Sequence, residues 1–294
     1  MTTLAFWSAY DNHGISSIYI STDSRFTYLD SGGNVVKICD NSQKTFLSPL
    51  TPDIFGIYGG SVGEFHEIIS DVIHELTVLR SMQMKEEYVS SIAKKISYSI
   101  KQRNMKSPNG RIVHGFRWVS SVEFTFVEYL IEEINGAVSV NVKPVAIKAH
   151  EGFDGSYKKL SELVSFCYER ASGADSLYAV KRDDKDISQR GFCRWHWQVF
   201  CDHIKNPRDE YTGGAPQLVG LYRKWNGINF GIYFNSLPYI YGKRIDATGL
   251  DSIPDQMKWH DELFQRINKY GEIIVDAQRH ARITSEPQIE PLIT

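Results

Sequence analysis

The spacing of apolar residues changes in blocks along this chain, and the order of the blocks limits the folds open to it. Leu4-Ala5-Phe6-Trp7-Ser8-Ala9-Tyr10 reads as a strand, residues 11–14 as a turn and Ile15 to Ile20 as a second strand, a hairpin at the extreme N-terminus. Asn34 to Cys39 and Ile54 to Tyr58 are further short strands, the latter running into Gly59-Gly60. Ser61-x-x-Glu64 then forms a capping-box pattern, followed by Phe65, Ile68, Ile69, Val72, Ile73, Leu76 and Leu79 at helical spacing. A second helix is expected from Glu86 to Gln102, with Val89, Ile92, Ala93, Ile96 and Ile100 on one face. Strands return at Ser121 to Glu128 and Val138 to Ile147, around an Asn135-Gly136 turn. Helical patterns follow at Tyr157 to Ala171 and Phe192 to Ile204, then closing strands at Gln217 to Tyr222, Phe230 to Phe234 and Tyr239 to Tyr241. A last amphipathic helix, Trp259 to Ala277, precedes a frayed tail over 280–294. Strand runs alternating with helix pairs predict an α/β (α+β) chain with two stacked sheets and helices on both outer faces. No linker, repeat or low-complexity segment divides residues 1–294, so one domain is expected.

Composition removes several classes of partner. The formal net charge is −2 with both signs interspersed, which lacks the one-sided basic balance that phosphate neutralisation needs, so no nucleic-acid partner is expected. No run of 18 apolar residues occurs and the first residues carry no basic leader, so neither a membrane span nor a secretory signal is expected. The four cysteines, Cys39, Cys167, Cys193 and Cys201, form no C-x-x-C pair, which fits a reducing, cytoplasmic setting.

The chemistry starts at the N-terminus. A hydroxyl is a poor nucleophile until a base takes its proton, and a free α-amino group on the same residue is one such base. Removal of Met1 would give Thr2 both groups. The amine, with an ordinary pKa of roughly 7.7–8.0, is neutral in about a tenth of molecules at pH 7, far more often than a lysine near 10.4. A buried lysine beside it would depress the amine further and stabilise the alkoxide, and an aspartate would hold that lysine in place. Asp23, at the end of the second strand in Ser21-Thr-Asp-Ser-Arg25, and Lys37, among Val35, Val36 and Ile38, are the expected pair. Gly59-Gly60 ahead of a helix start offers unencumbered backbone N–H groups for an oxyanion hole.

These segments, Met1-Thr-Thr-Leu-Ala5, Thr22-Asp-Ser-Arg25, Gly33-Asn-Val-Val-Lys37 and Tyr58-Gly-Gly-Ser61 before a helix, occur in an order that resembles the proteasome β-subunit family, most nearly the bacterial HslV-type peptidase. The resemblance implies a four-layer αββα sandwich of the N-terminal-nucleophile (Ntn) hydrolase type and a homo-oligomeric ring degrading polypeptide, with an ATPase or adaptor partner. It implies Thr2 as nucleophile and base, Asp23 and Lys37 as its charge pair, Arg25 as a structural partner and the Gly59 N–H as oxyanion donor. Asp209-Glu-Tyr-Thr212-Gly213-Gly214 resembles the family's Asp-x-x-Ser-Gly element, whose side chains support the amine, with Thr212 where serine is usual. The family's further Ser-Gly element fits either Ser156 or Ser172. Lys143 to Glu151 and Asp175 to Arg190 are extra to the HslV length.

Plainer readings stand beside these. Cys193, His196, Cys201 and His203, with Trp195 and Trp197, read either as a zinc patch or as a buried aromatic helix, and the helical spacing favours the second. No cofactor or metal is expected. Gly59-Gly-Ser-Val-Gly63 lacks the Gly-Lys-Ser/Thr of a phosphate loop, and the basic stretch Lys94 to Arg111 reads as a solvated helix face and loop. A silent scaffold subunit of the same fold and a stand-alone amidase, its site capped by the extra segments, remain the alternatives to a threonine peptidase.

Overall fold

The computed structural model describes residues 3–11, 14–29, 32, 34–59, 62–82, 84–106, 108–118, 123–145, 168–169, 192–207 and 211–275. Its strands are β1 (Leu4–Asp11), β2 (Gly14–Thr22), β3 (Phe26–Leu29), β4 (Val35–Cys39), β5 (Thr45–Leu47), β6 (Asp53–Tyr58), β7 (Gly110–Trp118), β8 (Glu123–Ile134), β9 (Ala137–Val145) and β10 (Tyr168–Glu169). The later ones are β11 (Gln217–Tyr222), β12 (Ile228–Phe234), β13 (Leu237–Ile240), β14 (Lys243–Arg244), β15 (Lys258–His260) and β16 (Arg266–Ile267). The helices are α1 (Val62–Leu79), α2 (Lys85–Gln102), α3 (Phe192–Lys205) and α4 (Ala247–Ser252). The class is mixed α+β with several sheets.

One sheet of nine strands runs β10-β1-β2-β11-β12-β13-β14, with β15 joined to β12 and β16 to β15. A second has five strands in the order β5-β6-β7-β8-β9, and β3 and β4 form a two-stranded sheet of their own. Strand alternation sorts the side chains of β1 onto two faces. Leu4 and Phe6, with Ile18 and Ile20 of β2 and Val219 and Leu221 of β11, pack on Ile54, Val113, Phe124 and Phe126 of the five-stranded sheet. Ala5 and Trp7 face the other way, onto Trp197, Phe200, Cys201 and Ile204 of α3. The far face of the five-stranded sheet is covered by α1 and α2, whose Phe65, Ile68, Ile69, Val72 and Leu76, and Tyr88, Ile92, Ala93, Ile96 and Ile100, recur at helical spacing. Each such burial is worth about 1.5–3 kcal/mol, so the stripes hold both helices against the sheet. Among the described residues no helix is long and apolar enough to cross a membrane.

The turn expected at Asn135-Gly136 joins β8 to β9 with φ of 51° and 76°, the paired positive angles that a tight hairpin turn demands. Two expected helices are corrected. Instead of a helix from Trp259 to Ala277, β15 pairs in parallel with β12 through Gly231↔Trp259, and β16 returns antiparallel. The Asp261 carboxylate accepts the backbone N–H groups of Leu263 and Gln265, closing a turn that a helix would have had to open, and Phe264 sits at φ 61°. In the stretch 157–171, Tyr168 and Glu169 form a strand on the outer edge of β1; the rest of that stretch, like 276–294, lies outside the described residues. Strands β3, β5, β7 and β14 and the short α4 were not expected from the sequence.

Candidate active site

The end of β2 and the start of β5 meet beside the N-terminal end of β1, and two buried opposite charges face each other there. Asp23 and Lys44 both have side chains with no exposure, and the Lys44 ammonium donates to Asp23 Oδ1 over 2.8 Å. The same ammonium donates to the Arg25 carbonyl. Asp23 Oδ1 also accepts the Thr3 N–H at 3.3 Å, and Oδ2 accepts those of Arg25 at 3.3 Å and Gly213 at 3.1 Å. The carboxylate thus ties the first strand, its own turn and the loop before β11 together.

Burial dominates the electrostatics of this pair. Removal from water pushes the Asp23 carboxyl up, against the charge and hydrogen bonds of Lys44 and the backbone donors. It pushes the Lys44 ammonium down, against the charge of Asp23. For each group the charge of the other is the main influence opposing neutralisation. A lysine in that state holds a positive charge in a dry site and releases a proton more readily than a solvated one.

Lys37, expected as the partner of Asp23, is not. It lies exposed on β4, with its ammonium 5.6 Å from the centre of the Tyr28 ring. The reason is the sheet it belongs to: among the described residues β3 and β4 pair with each other alone, and Val36 at 63% and Ile38 at 43% exposure show that its apolar neighbours are not buried either. Lys44, the next lysine along, stands immediately before the short strand β5, and nothing around it in the sequence marked it.

Gln217, at the start of β11, secures the geometry and was not anticipated. Its amide oxygen accepts the N–H groups of Lys44 at 3.0 Å and Thr45 at 3.3 Å, while its amide nitrogen donates to the carbonyls of Asp23 at 3.1 Å and Ser42 at 2.7 Å. One buried side chain thus clamps the strand ends that carry both charges. Arg25, read as a structural partner, forms a two-pronged ion pair with Asp40 at 2.7 and 2.8 Å. It also lies flat against Gly213, where any added Cβ would stand 2.5 Å from the guanidinium carbon. Thr212 is fully buried, its hydroxyl 2.9 Å from that of Thr3, and Thr3 Oγ1 lies 3.3 Å from His203 Nε2 on α3.

Gly59 follows β6 at φ 126°, a conformation only glycine adopts freely, and a Cβ there would meet the Gly110 Cα at 2.6 Å. It is half-buried and stands just before α1. Thr2, Asp209, Ser156 and Ser172 lie outside the described residues. Of the Cys/His patch, the side chains of Cys193 and His196 lie outside them as well, while Cys201 and His203 are buried in α3. Among the described residues no group of three His, Cys, Asp or Glu side chains is placed to hold a metal ion.

Against solved structures, the chain is similar to the Anbu (Gly-1) mutant from Hyphomicrobium sp. strain MC1. The two share 12% identity at a TM-score of 0.41, over 83% of this chain and 87% of that one. No protein-family model and no curated protein matches the chain.

Chemically, the described residues supply a positive charge in a dry site and a pair of linked hydroxyls near the N-terminal end of β1, and, at the end of β6, a glycine N–H ahead of a helix. Asp23 was expected to hold Lys37 in place; in the structure it holds Lys44.

Proposed function

We propose that this chain is an amide hydrolase of the proteasome-like, N-terminal-nucleophile type, acting on peptide bonds through Thr2 once Met1 is removed. The observation that carries the reading is the fully buried Asp23–Lys44 ion pair bonded to the amide of Thr3, the residue next to the nucleophile. A buried ion pair is a poor stabilising device, since apolar packing of the same volume does as well or better. A cation kept at that cost beside a free N-terminus has a chemical use.

In the proposed cycle the α-amine of Thr2 takes the proton of its own hydroxyl, and the oxygen attacks the peptide carbonyl carbon. Lys44 stabilises the alkoxide and keeps the neighbouring amine neutral. The electron pair displaced onto the carbonyl oxygen is met by the Gly59 N–H and the positive end of α1. Collapse breaks the C–N bond, the ammonium of Thr2 protonates the leaving amine, and an ester on Thr2 remains. Water, giving a proton to the same amine, hydrolyses that ester and restores the hydroxyl. Thr212, and Asp209 with it, would support the amine.

The remaining parts of the proposal rest on the sequence resemblance: a single domain over 1–294, a four-layer αββα sandwich, and a cytoplasmic homo-oligomeric ring cleaving polypeptide with an ATPase or adaptor. The packing order supports the sandwich, since α1 and α2, the five-stranded sheet, the nine-stranded sheet and α3 follow one another. Native mass tests the ring. For the chemistry, untagged protein is expected to have lost one methionine by intact mass and to cleave fluorogenic peptides. Thr2→Ser should keep part of that turnover and Thr2→Ala none, with Thr3→Ala milder than Thr2→Ala. Full activity with Met1 retained would refute the mechanism.

A further inference from the structure

We propose that His203, on α3, is a positioning residue for the N-terminal nucleophile, acting through the hydroxyls of Thr3 and Thr212. The inference rests on Thr2 as nucleophile and assigns a new role to a histidine otherwise read as part of a helix core. Its geometry is a short chain: His203 Nε2, then Thr3 Oγ1 at 3.3 Å, then Thr212 Oγ1 a further 2.9 Å on. Both threonines are fully buried and His203 is 7% exposed, so bulk water does not supply these partners.

Thr3 is held from two directions. Its backbone N–H donates to Asp23 Oδ1, and its carbonyl accepts the Asp23 N–H at 3.1 Å. Its side chain reaches the opposite way, to α3 and the loop before β11. The residue adjoining Thr2 is therefore fixed in both position and rotation. Fixing of that kind matters to rate, because a misplacement of about 1 Å can cost on the order of 100-fold.

The hydroxyl chain also carries direction. Each threonine has one hydroxyl proton to give. When His203 Nε2 is the bare ring nitrogen, Thr3 donates to it, and the Thr3–Thr212 bond can only be made by the Thr212 proton. Thr212 is then left with lone pairs alone to offer elsewhere. An acceptor-only hydroxyl of that kind suits an N-terminal amine that has to give its N–H bonds away and keep its own lone pair for the nucleophile's proton. A donating Nε2–H releases this constraint, and Thr212 could then turn its proton onto the amine and block the base. The geometry thus points to His203 as the end stop of a hydroxyl relay rather than as a group that meets substrate.

The test is the rate at which a peptide epoxyketone labels Thr2, measured against probe concentration so that maximal rate and half-saturation separate. His203→Leu should slow the maximal rate by about 10- to 100-fold and move half-saturation by less than about twofold. His203→Gln, which keeps a polar end near the position of Nε2, should return to within about threefold of the native rate. Thr3→Val keeps the shape and removes the hydroxyl, so it should slow labelling as His203→Leu does, and the two losses together should be far from additive. This second variant decides the matter if His203→Leu fails to fold. Native maximal rates in both His203→Leu and Thr3→Val, or losses confined to half-saturation, would overturn the inference and leave the nucleophile reading standing. An unlabelled native protein would overturn both.

Discussion

Among the described residues two aspartates are buried to zero exposure, Asp23 and Asp53, and their surroundings drive them in opposite directions. Asp53 opens β6 under the helix layer. Its Oδ1 accepts from Arg80 Nη2 at 2.7 Å, the Tyr88 hydroxyl at 2.7 Å and lies 2.8 Å from His114 Nε2, while Oδ2 accepts from Arg80 Nε at 3.2 Å. Burial alone would raise this carboxyl; the hydrogen bond and charge of His114 and the guanidinium of Arg80 overcome it and hold it at about 2. Arg80 is in turn braced by the Pro52 and Arg117 carbonyls and lies over the Tyr88 ring. Asp23 has one cation, itself fully buried and pushed toward neutrality, and its carboxyl stays raised. The difference separates a carboxylate that fastens the fold from one whose partner is kept responsive. The second accepts a backbone N–H from Thr3, at the entrance to the N-terminal strand.

The sharpest way to break this comparison is to remove the cations in turn. Lys44→Ala should lower peptide turnover by about 1,000-fold, the scale for removing a group that stabilises developing charge. Asp23→Asn should act through the same loss, because an unpaired Lys44 at zero exposure gives up its proton. The double variant should then be no worse than about threefold below Lys44→Ala. Independent, multiplying losses would contradict the shared role.

The next test concerns the other aspartate. Asp53→Asn leaves Arg80 facing a neutral amide and should cost about 3–5 kcal/mol in urea unfolding, as breaking a mostly buried ion pair does. The labelling rate of the folded fraction should stay native. A smaller prediction follows from pH. The Asp53 carboxyl is depressed from its ordinary value of 3.8 to about 2, so its contribution is complete above pH 3.8 and is lost as pH falls through about 2. Between pH 5 and pH 1 it should account for roughly 2 kcal/mol of lost stability, absent in Asp53→Asn. Smallest of all is Lys37→Ala, with turnover unchanged and stability altered by less than about 0.5 kcal/mol, since its ammonium is exposed.

How much of this was legible in the sequence depended on whether the signal was local. The periods of β1, β2, β11, α1, α2 and α3 could be read directly, because each buries one face and its alternation or helical stripe records which. Lys37 misled for a local reason as well: its β-branched neighbours imitate a buried strand, but β4 belongs to a two-stranded sheet that leaves them exposed. Lys44 is set by Gln217, 173 residues away, and no pattern around Lys44 records that clamp. His114 and Asp53 meet across 61 residues in the same manner. The expected helix after Trp259 failed because its apolar spacing serves a parallel pairing with β12 and a turn closed on Asp261, both of which need partners from elsewhere in the chain.

The most direct measurement is the mass-mapped site of epoxyketone attachment in untagged native protein, Lys37→Ala and Lys44→Ala. The account predicts a single adduct on Thr2 in the first two at equal rates, since the reagent needs hydroxyl and amine on one residue, and an adduct slowed by about 1,000-fold in the third. An adduct on Thr3 or any other residue, or one on Thr2 that depends on Lys37 and ignores Lys44, would contradict it.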